Sequence, residues 1–269
     1  MHPAGYRTGA AALALAASIA VSAVRAADLP YPAAPQPDTA APAPPASEWR
    51  FQATLYGWLT AIDGEIGVRD RPMTPVSASI SEVLENLDGA VMGSFLAQND
   101  QWLFLGDLVL ARLSHAGQIG FTGTDVELSQ TIATAAIGYK LPLGAPDLDL
   151  AVTAGLRYVR LSTDLALSPA ASPLVLSGSQ SEQWIDPTVG LVLQWAIDER
   201  WFLNAVADIG GFGVGSKLSS NGYLGLGYLW TPSISTAIGY RYLYEDYQDG
   251  GFRYNTTMHG PTVSMGWRF

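Results

Sequence analysis

The sequence predicts an all-β protein: a single antiparallel up-and-down transmembrane β-barrel of about ten strands. Three observations predict it. Apolar residues alternate with a period of two from Trp49 onward. Tight turns alternate with longer polar connections along the chain. Charged residues make up only 14% of the chain, beside 28 Gly, 12 Tyr and 8 Trp, whereas soluble domains carry about a quarter charged residues. A surface this poor in charge suits hydrocarbon better than water.

Residues 1–26 read as a secretory signal. Arg7 supplies a positive start, an apolar run follows, and Val24-Arg25-Ala26 places small residues at the −3 and −1 positions, so cleavage is expected after Ala26. The apolar run is short for a spanning helix, which needs about 20 residues. Residues 27–47 are a Pro/Ala-rich linker whose proline density disfavours helix and sheet and favours extended polyproline II. Residues 48–269 form the barrel. Beyond the signal no apolar run is long enough for a membrane helix, so a membrane protein here must cross with strands closed into a barrel.

The last strand is the clearest. Pro261, Val263, Met265, Trp267 and Phe269 share one face; Thr262, Ser264, Gly266 and Arg268 share the other. In a membrane barrel the apolar row meets lipid and the small polar row meets the lumen. The same split recurs for Ile234, Ile238, Tyr240 and Tyr242 against Ser235, Ala237, Gly239 and Arg241. It recurs again in residues 224–230, 185–195 and 148–158. Asn99-Asp100, residues 142–146, Asp198-Glu199 and Pro232-Ser233 read as tight turns. Residues 62–89, 114–124, 164–181, 213–217 and 247–252 read as mostly longer outer loops. Four tight turns between five hairpins give ten strands; eight and twelve stay open. Aromatics recur beside the tight turns, among them Trp102, Tyr139, Trp195, Trp201, Tyr228 and Trp267, where an interfacial girdle is expected. In the first long loop, Ser79 and Glu82 fit a capping box that opens a short amphipathic helix, with Gly89 placed to close it.

Ala26 to Pro30 match the AADLP stretch with which certain exported barrels begin after their signal. Together with the Pro/Ala tether and the ending Gly266-Trp267-Arg268-Phe269, they make the chain resemble the alphaproteobacterial outer-membrane β-barrel proteins of the small OmpA-like type. Tyr56 to Leu59, Trp184 to Pro187 and Asp208 to Phe212 also resemble recurring segments of such barrels. The resemblance implies a bacterial outer-membrane location, with outer-membrane lipids and lipopolysaccharide as neighbours. It also implies recognition of the Met265, Trp267 and Phe269 row by the barrel-assembly machinery.

Strand parity turns Asp107, Arg157, Asp186, Asp208 and Arg241 toward the lumen. Charges confined there need partners, so they form either a network that fills a closed barrel or the lining of a small pore selective for ions. A cluster of acids, including Asp63, Glu82, Glu245 and Asp249, is expected on an outer rim.

Some chemistries are disfavoured. The chain has no cysteine, so disulfides and thiolate sites are excluded. His115 and His259 show no metal-ligand spacing, and His259 falls on the opposite strand face from Ser264, so no Ser–His pair forms there. The Gly-rich run at residues 210–215 lacks the helix of a phosphate cradle. No cofactor or catalytic residue is expected. With Arg7 and Arg25 removed, twelve basic residues face 24 acidic ones, which disfavours nucleic acid as a partner. The function expected is structural or surface-related, with small solutes or ions as cargo if the lumen is open. An outer-membrane enzyme acting on lipid or peptide and a soluble periplasmic ligand-binding barrel are the alternatives.

Overall fold

The computed structural model describes residues 48–68, 72–119, 122–169 and 176–269. The expected signal and linker lie outside the described residues. The strands are β1 (Arg50–Trp58), β2 (Ala61–Val68), β3 (Thr74–Ala78), β4 (Leu87–Gln98), β5 (Trp102–Ile119) and β6 (Thr122–Lys140), followed by β7 (Leu148–Pro169), β8 (Leu176–Ala196), β9 (Trp201–Gly211), β10 (Leu218–Leu229), β11 (Ile234–Asp249) and β12 (Phe252–Arg268). One helix, α1 (Ile80–Glu85), precedes β4.

Ten strands close the barrel. β1 pairs with β4, β4 to β12 follow in chain order, and β12 pairs back to β1, every neighbour antiparallel. Closure removes the sheet edges that a membrane would leave unsatisfied. β2 continues β1 along β12 in unbroken register, from Trp58↔Thr262 to Ala61↔His259. β3 then folds back on β2. Above Leu55↔Gly93 the first two walls therefore part, and the β2–β3 hairpin and α1 occupy the chain between them.

The outward faces carry an apolar belt. Leu55, Phe95, Leu156, Ile185, Ile209, Leu224, Ile238 and Val263 are all exposed, and Ile238 keeps 66% of its surface. A soluble barrel would place polar side chains there, so the belt is a lipid-facing surface. At the end with the tight turns the aromatic girdle is present. Trp102 meets Tyr139 edge-on at 5.4 Å, Trp201 meets Tyr228 at 5.1 Å, and Phe51 lies against Phe269 at 5.9 Å.

Much of what reads as outer loop is strand. β7 and β8 run 22 and 21 residues, and β5 and β6 pair as far as Ile119↔Thr122. About ten residues suffice to span a membrane. At ~3.3 Å per residue and a tilt near 40°, 22 residues rise about 55 Å, roughly twice the apolar belt. The hairpin ladder thus continues into water, where both faces are wet. Alternation fades there while the backbone bonds persist. Residues 247–252 shrink likewise to a Gly250-Gly251 turn, both at positive φ (54° and 88°), as a tight hairpin requires.

Helix α1 has the expected capping box. The Ser79 backbone N–H donates to Glu82 Oε2 (2.7 Å), and the Glu82 N–H donates to Ser79 Oγ (3.3 Å). The helix stops earlier than Gly89: Asn86 is its C-cap and β4 begins at Leu87. The Asn86 side chain takes the Glu82 carbonyl (2.6 Å), so capping by an amide replaces capping by glycine. Val83 is the buried residue of this helix.

Candidate functional site: the barrel lumen

The lumen is organised in three levels. The middle level is a belt of charge. Arg241 on β11 reaches across to Asp107 on β5, donating from Nη2 to Oδ1 at 2.8 Å, and from Nη1 to the Tyr56 hydroxyl at 2.6 Å. Tyr56 in turn donates to Asp107 Oδ2 (2.7 Å), which closes a three-membered ring of bonds. Arg157 on β7 donates to Asp208 Oδ1 on β9 (2.6 Å) and to Ser219 Oγ on β10 (2.6 Å). Glu245 on β11 accepts from Ser219 (3.0 Å) and lies 4.0 Å from Arg157. Asn221 ties the two halves together: its amide donates to Asp208 (2.9 Å) and its oxygen accepts from Arg241 Nε (3.3 Å). Arg157, Asp186 and Glu245 are wholly buried. Guanidinium groups suit this role because their planar donors serve several acceptors at once.

The structure therefore brings together four of the five lumen residues expected from parity, as two ion pairs. The fifth, Asp186, sits beside the belt but is held by a different partner. It is the cross-strand partner of Arg157, yet its oxygens are taken by Ser216, from the backbone N–H (2.6 Å) and the hydroxyl (2.7 Å). It anchors the turn after β9 to the inner face of the tall β8 wall. That turn uses Gly211, Phe212 and Gly213 at positive φ, so the Gly-rich run serves a tight reversal.

The sequence reading missed several members of the belt. Tyr56, Ser219 and Asn221 are ordinary polar residues on inward rows, and nothing in the sequence marks their reach across the lumen. Glu245 was expected on the outer rim and is instead fully buried in the lumen. Its signal was available, because it shares the inward row of Arg241 at an even spacing.

The level farther from the tight turns is apolar. Trp58, Val109, Ile132, Val159, Leu161, Trp184, Leu243, Tyr247, Tyr254 and Met258 form one buried cluster drawn from strands on opposite walls. Trp184 of β8 stacks on Tyr247 of β11 with centroids 4.1 Å apart, and Tyr254 of β12 sits 5.9 Å away. Gln130 of β6 reaches Met258 of β12 at 3.5 Å. The Trp184 indole N–H points to Glu245 (3.4 Å) and so joins the plug to the charge belt.

The level nearer the tight turns is a cavity of about 170 Å³. The charge belt forms its roof. Val192, Phe202 and Val206 line it from β8 and β9, Leu96 and Leu105 from β4 and β5, and Gln52, Thr54, Ser235, Thr262 and Ser264 from β1, β11 and β12. Two inward glycines of β10 make room for the rings around it: a Cβ at Gly227 would strike the Phe202 ring, and one at Gly225 the Tyr223 hydroxyl. Arg268 lies over Phe202 at 5.1 Å and donates to Gln52 (3.1 Å).

On the outer face, His259 holds a second polar group. Its Nδ1 pairs with the Tyr240 hydroxyl (2.7 Å) and its Nε2 with Asp63 (3.3 Å). Ser77 donates to Asp63 (2.8 Å). The Ser77 hydroxyl, followed by His259, holds the Asp63 carboxyl below its ordinary range. The serine lies on the carboxylate side of the histidine, the wrong side for a nucleophile. His115 bonds Asn86 (2.8 Å) at the join of α1 and β5.

No family model matches the chain, and no curated protein matches it. Among solved structures, the outer membrane protease OmpT from Escherichia coli is similar with a TM-score of 0.52 at 12% identity, over 83% of this chain and 97% of that one. Ail, the attachment invasion locus protein of Yersinia pestis, is similar with a TM-score of 0.37 at 11% identity, over 83% of this chain and 100% of that one. The translocator domain of autotransporter NalP from Neisseria meningitidis gives a TM-score of 0.39 at 16% identity, over 83% and 89%. The first of these likenesses extends to the fold, an antiparallel outer-membrane β-barrel.

Proposed function

We propose that this chain is an exported outer-membrane barrel with a sealed lumen and a structural or surface role. The observation that carries the reading is the Trp184–Tyr247–Tyr254 plug resting on a charge belt whose guanidiniums are already paired. An ion crossing it would have to displace a buried aromatic stack and then a paired arginine, each costly in a low-dielectric interior. The tall β5–β8 wall supports a surface role, because it raises the chain well beyond the apolar belt. The lumen carboxylates Asp107 and Asp208 are engaged by arginine rather than by histidine, which supports a non-enzymatic barrel.

In this reading the signal is removed after Ala26, and residues 27–47 tether the barrel on the periplasmic side. The AADLP resemblance supports an alphaproteobacterial outer-membrane protein. The outward row of Met265, Trp267 and Phe269 serves barrel assembly. Lipopolysaccharide surrounds the rim, where Asp63 and Glu65 are exposed on β2.

Conductance of the refolded mature barrel in a planar bilayer tests the seal. No discrete steps are expected for the wild-type barrel, and steps are expected for Trp184→Ala combined with Tyr247→Ala. Steps in the unmodified barrel would establish a small passive channel instead.

A further inference from the structure

The cavity beneath the charge belt has a chemistry of its own. Its roof offers no free charge: both oxygens of Asp107 and of Asp208 already accept a bond, and Arg157 and Arg241 are the donors of their ion pairs. An incoming anion or cation would therefore compete with an existing pair and lose its own hydration. The walls are divided by side. Val192, Phe202 and Val206 present carbon, while Thr54, Ser235 and Ser264 present hydroxyls across from them. Gln194 and Asn204 stand on the same wall as the carbon groups, as cross-strand partners on β8 and β9. Water covers the hydroxyl side well and the carbon side poorly, so a molecule with one apolar face displaces weakly held water. The volume of about 170 Å³ is on the scale of an apolar cavity of about 150 Å³ that holds benzene. It is too small for an acyl chain.

We propose that this chamber is a binding site for a small neutral amphipathic molecule of single-ring size, an aromatic or alicyclic alcohol. The ring face lies on Val192, Val206 and Phe202, and the hydroxyl bonds within the Thr54, Ser235 and Ser264 side. Entry is from the tight-turn end, past the Arg268 side chain that lies over Phe202. The apolar plug blocks the other end, so the chamber is a dead-end pocket and not part of a through-channel. The site stands on the cavity alone and does not depend on a surface role for the barrel.

Phenol is the probe, measured by equilibrium dialysis against the refolded mature barrel held in amphipol, with glucose as the second probe. Saturable uptake of about one phenol per barrel is expected, weakened at least tenfold by Val192→Phe, whose added ring fills the chamber. Ser264→Leu fills it from the opposite wall and gives the same loss. Heat-dependent gel mobility identifies which variants fold. Non-saturable phenol uptake by the wild-type barrel, uptake unchanged in a folded filled variant, or saturable binding of glucose without phenol would each overturn the proposal.

Discussion

Arg241 and Asp107 sit on opposite walls of the barrel, on β11 and β5, and meet in the lumen at 2.8 Å. The pair is a strut across the barrel, and its side chains keep only 8% and 14% of their surface. Asp107→Ala leaves the guanidinium buried with the Tyr56 hydroxyl and Asn221 as its remaining partners. That loss is expected to cost about 3–5 kcal/mol, the usual penalty for orphaning one member of a buried pair. Replacing both, as Asp107→Leu with Arg241→Met, is expected to cost less than the single change. Urea unfolding from lipid vesicles followed by tryptophan fluorescence measures both. A single variant as stable as wild type would show that the strut is wet and weak.

Asn221 makes the two ion pairs one network, since it donates to Asp208 and accepts from Arg241. Residues in one hydrogen-bond network couple by about 0.5–3 kcal/mol, whereas independent sites add to within about 0.5 kcal/mol. A double-mutant cycle between Asp107→Ala and Asp208→Ala is therefore expected to show coupling in the upper range. The same cycle in an Asn221→Leu background should be additive. Coupling that survives Asn221→Leu would mean that it travels through the strands instead.

The sequence made the membrane half of this barrel legible and left the rest obscure, for one physical reason. Where one face meets lipid and the other the lumen, alternation is forced, so the rows of Val263 and Thr262 or Ile238 and Arg241 read directly from the chain. Above the belt both faces meet water, so residues 114–119 and 164–169 carry no such mark, and their strands passed for loops. The inward direction of Arg157 and Asp208 followed from parity. Their pairing, two strands apart in the closed wall, did not, because parity gives a direction and no reach. Asp186 illustrates the limit: parity gives its row, while its partner Ser216 lies 30 residues on in a turn folded inward. The plug was also hidden, since Trp184 and Tyr247 look like any aromatics near a strand end.

The tight turn between β8 and β9 is held by one carboxylate. Asp198 Oδ1 accepts from the backbone N–H groups of Arg200 and Trp201, each at 2.7 Å. The Trp201 N–H, then that of Arg200, lower the Asp198 pKa below its ordinary value. A carboxyl with a depressed folded pKa contributes stability that is fully present above the unfolded pKa, about 3.9, and is lost as pH falls through the folded value. Wild type and Asp198→Ala are therefore expected to differ in urea midpoint at pH 7 and to converge below pH 4. A gap unchanged in acid would assign the turn to shape rather than charge.

The two ends of the barrel should face different compartments. The turn at Gly250-Gly251 lies at the far end of β11 and β12, whereas Pro232-Ser233 lies at the near end of β11, beside the tight turns. Membrane barrels place short turns in the periplasm and tall hairpins outside. An epitope between Gly250 and Gly251 is expected to be tolerated, because both residues already serve a solvent-facing reversal at positive φ. It should bind antibody on intact cells. The same epitope between Pro232 and Ser233 should bind only after the outer membrane is permeabilised. Both variants must retain heat-dependent gel mobility, which shows that the strands still close. Labelling of the Pro232 site on intact cells would invert the barrel, and with it the side from which the chamber beneath the charge belt is entered.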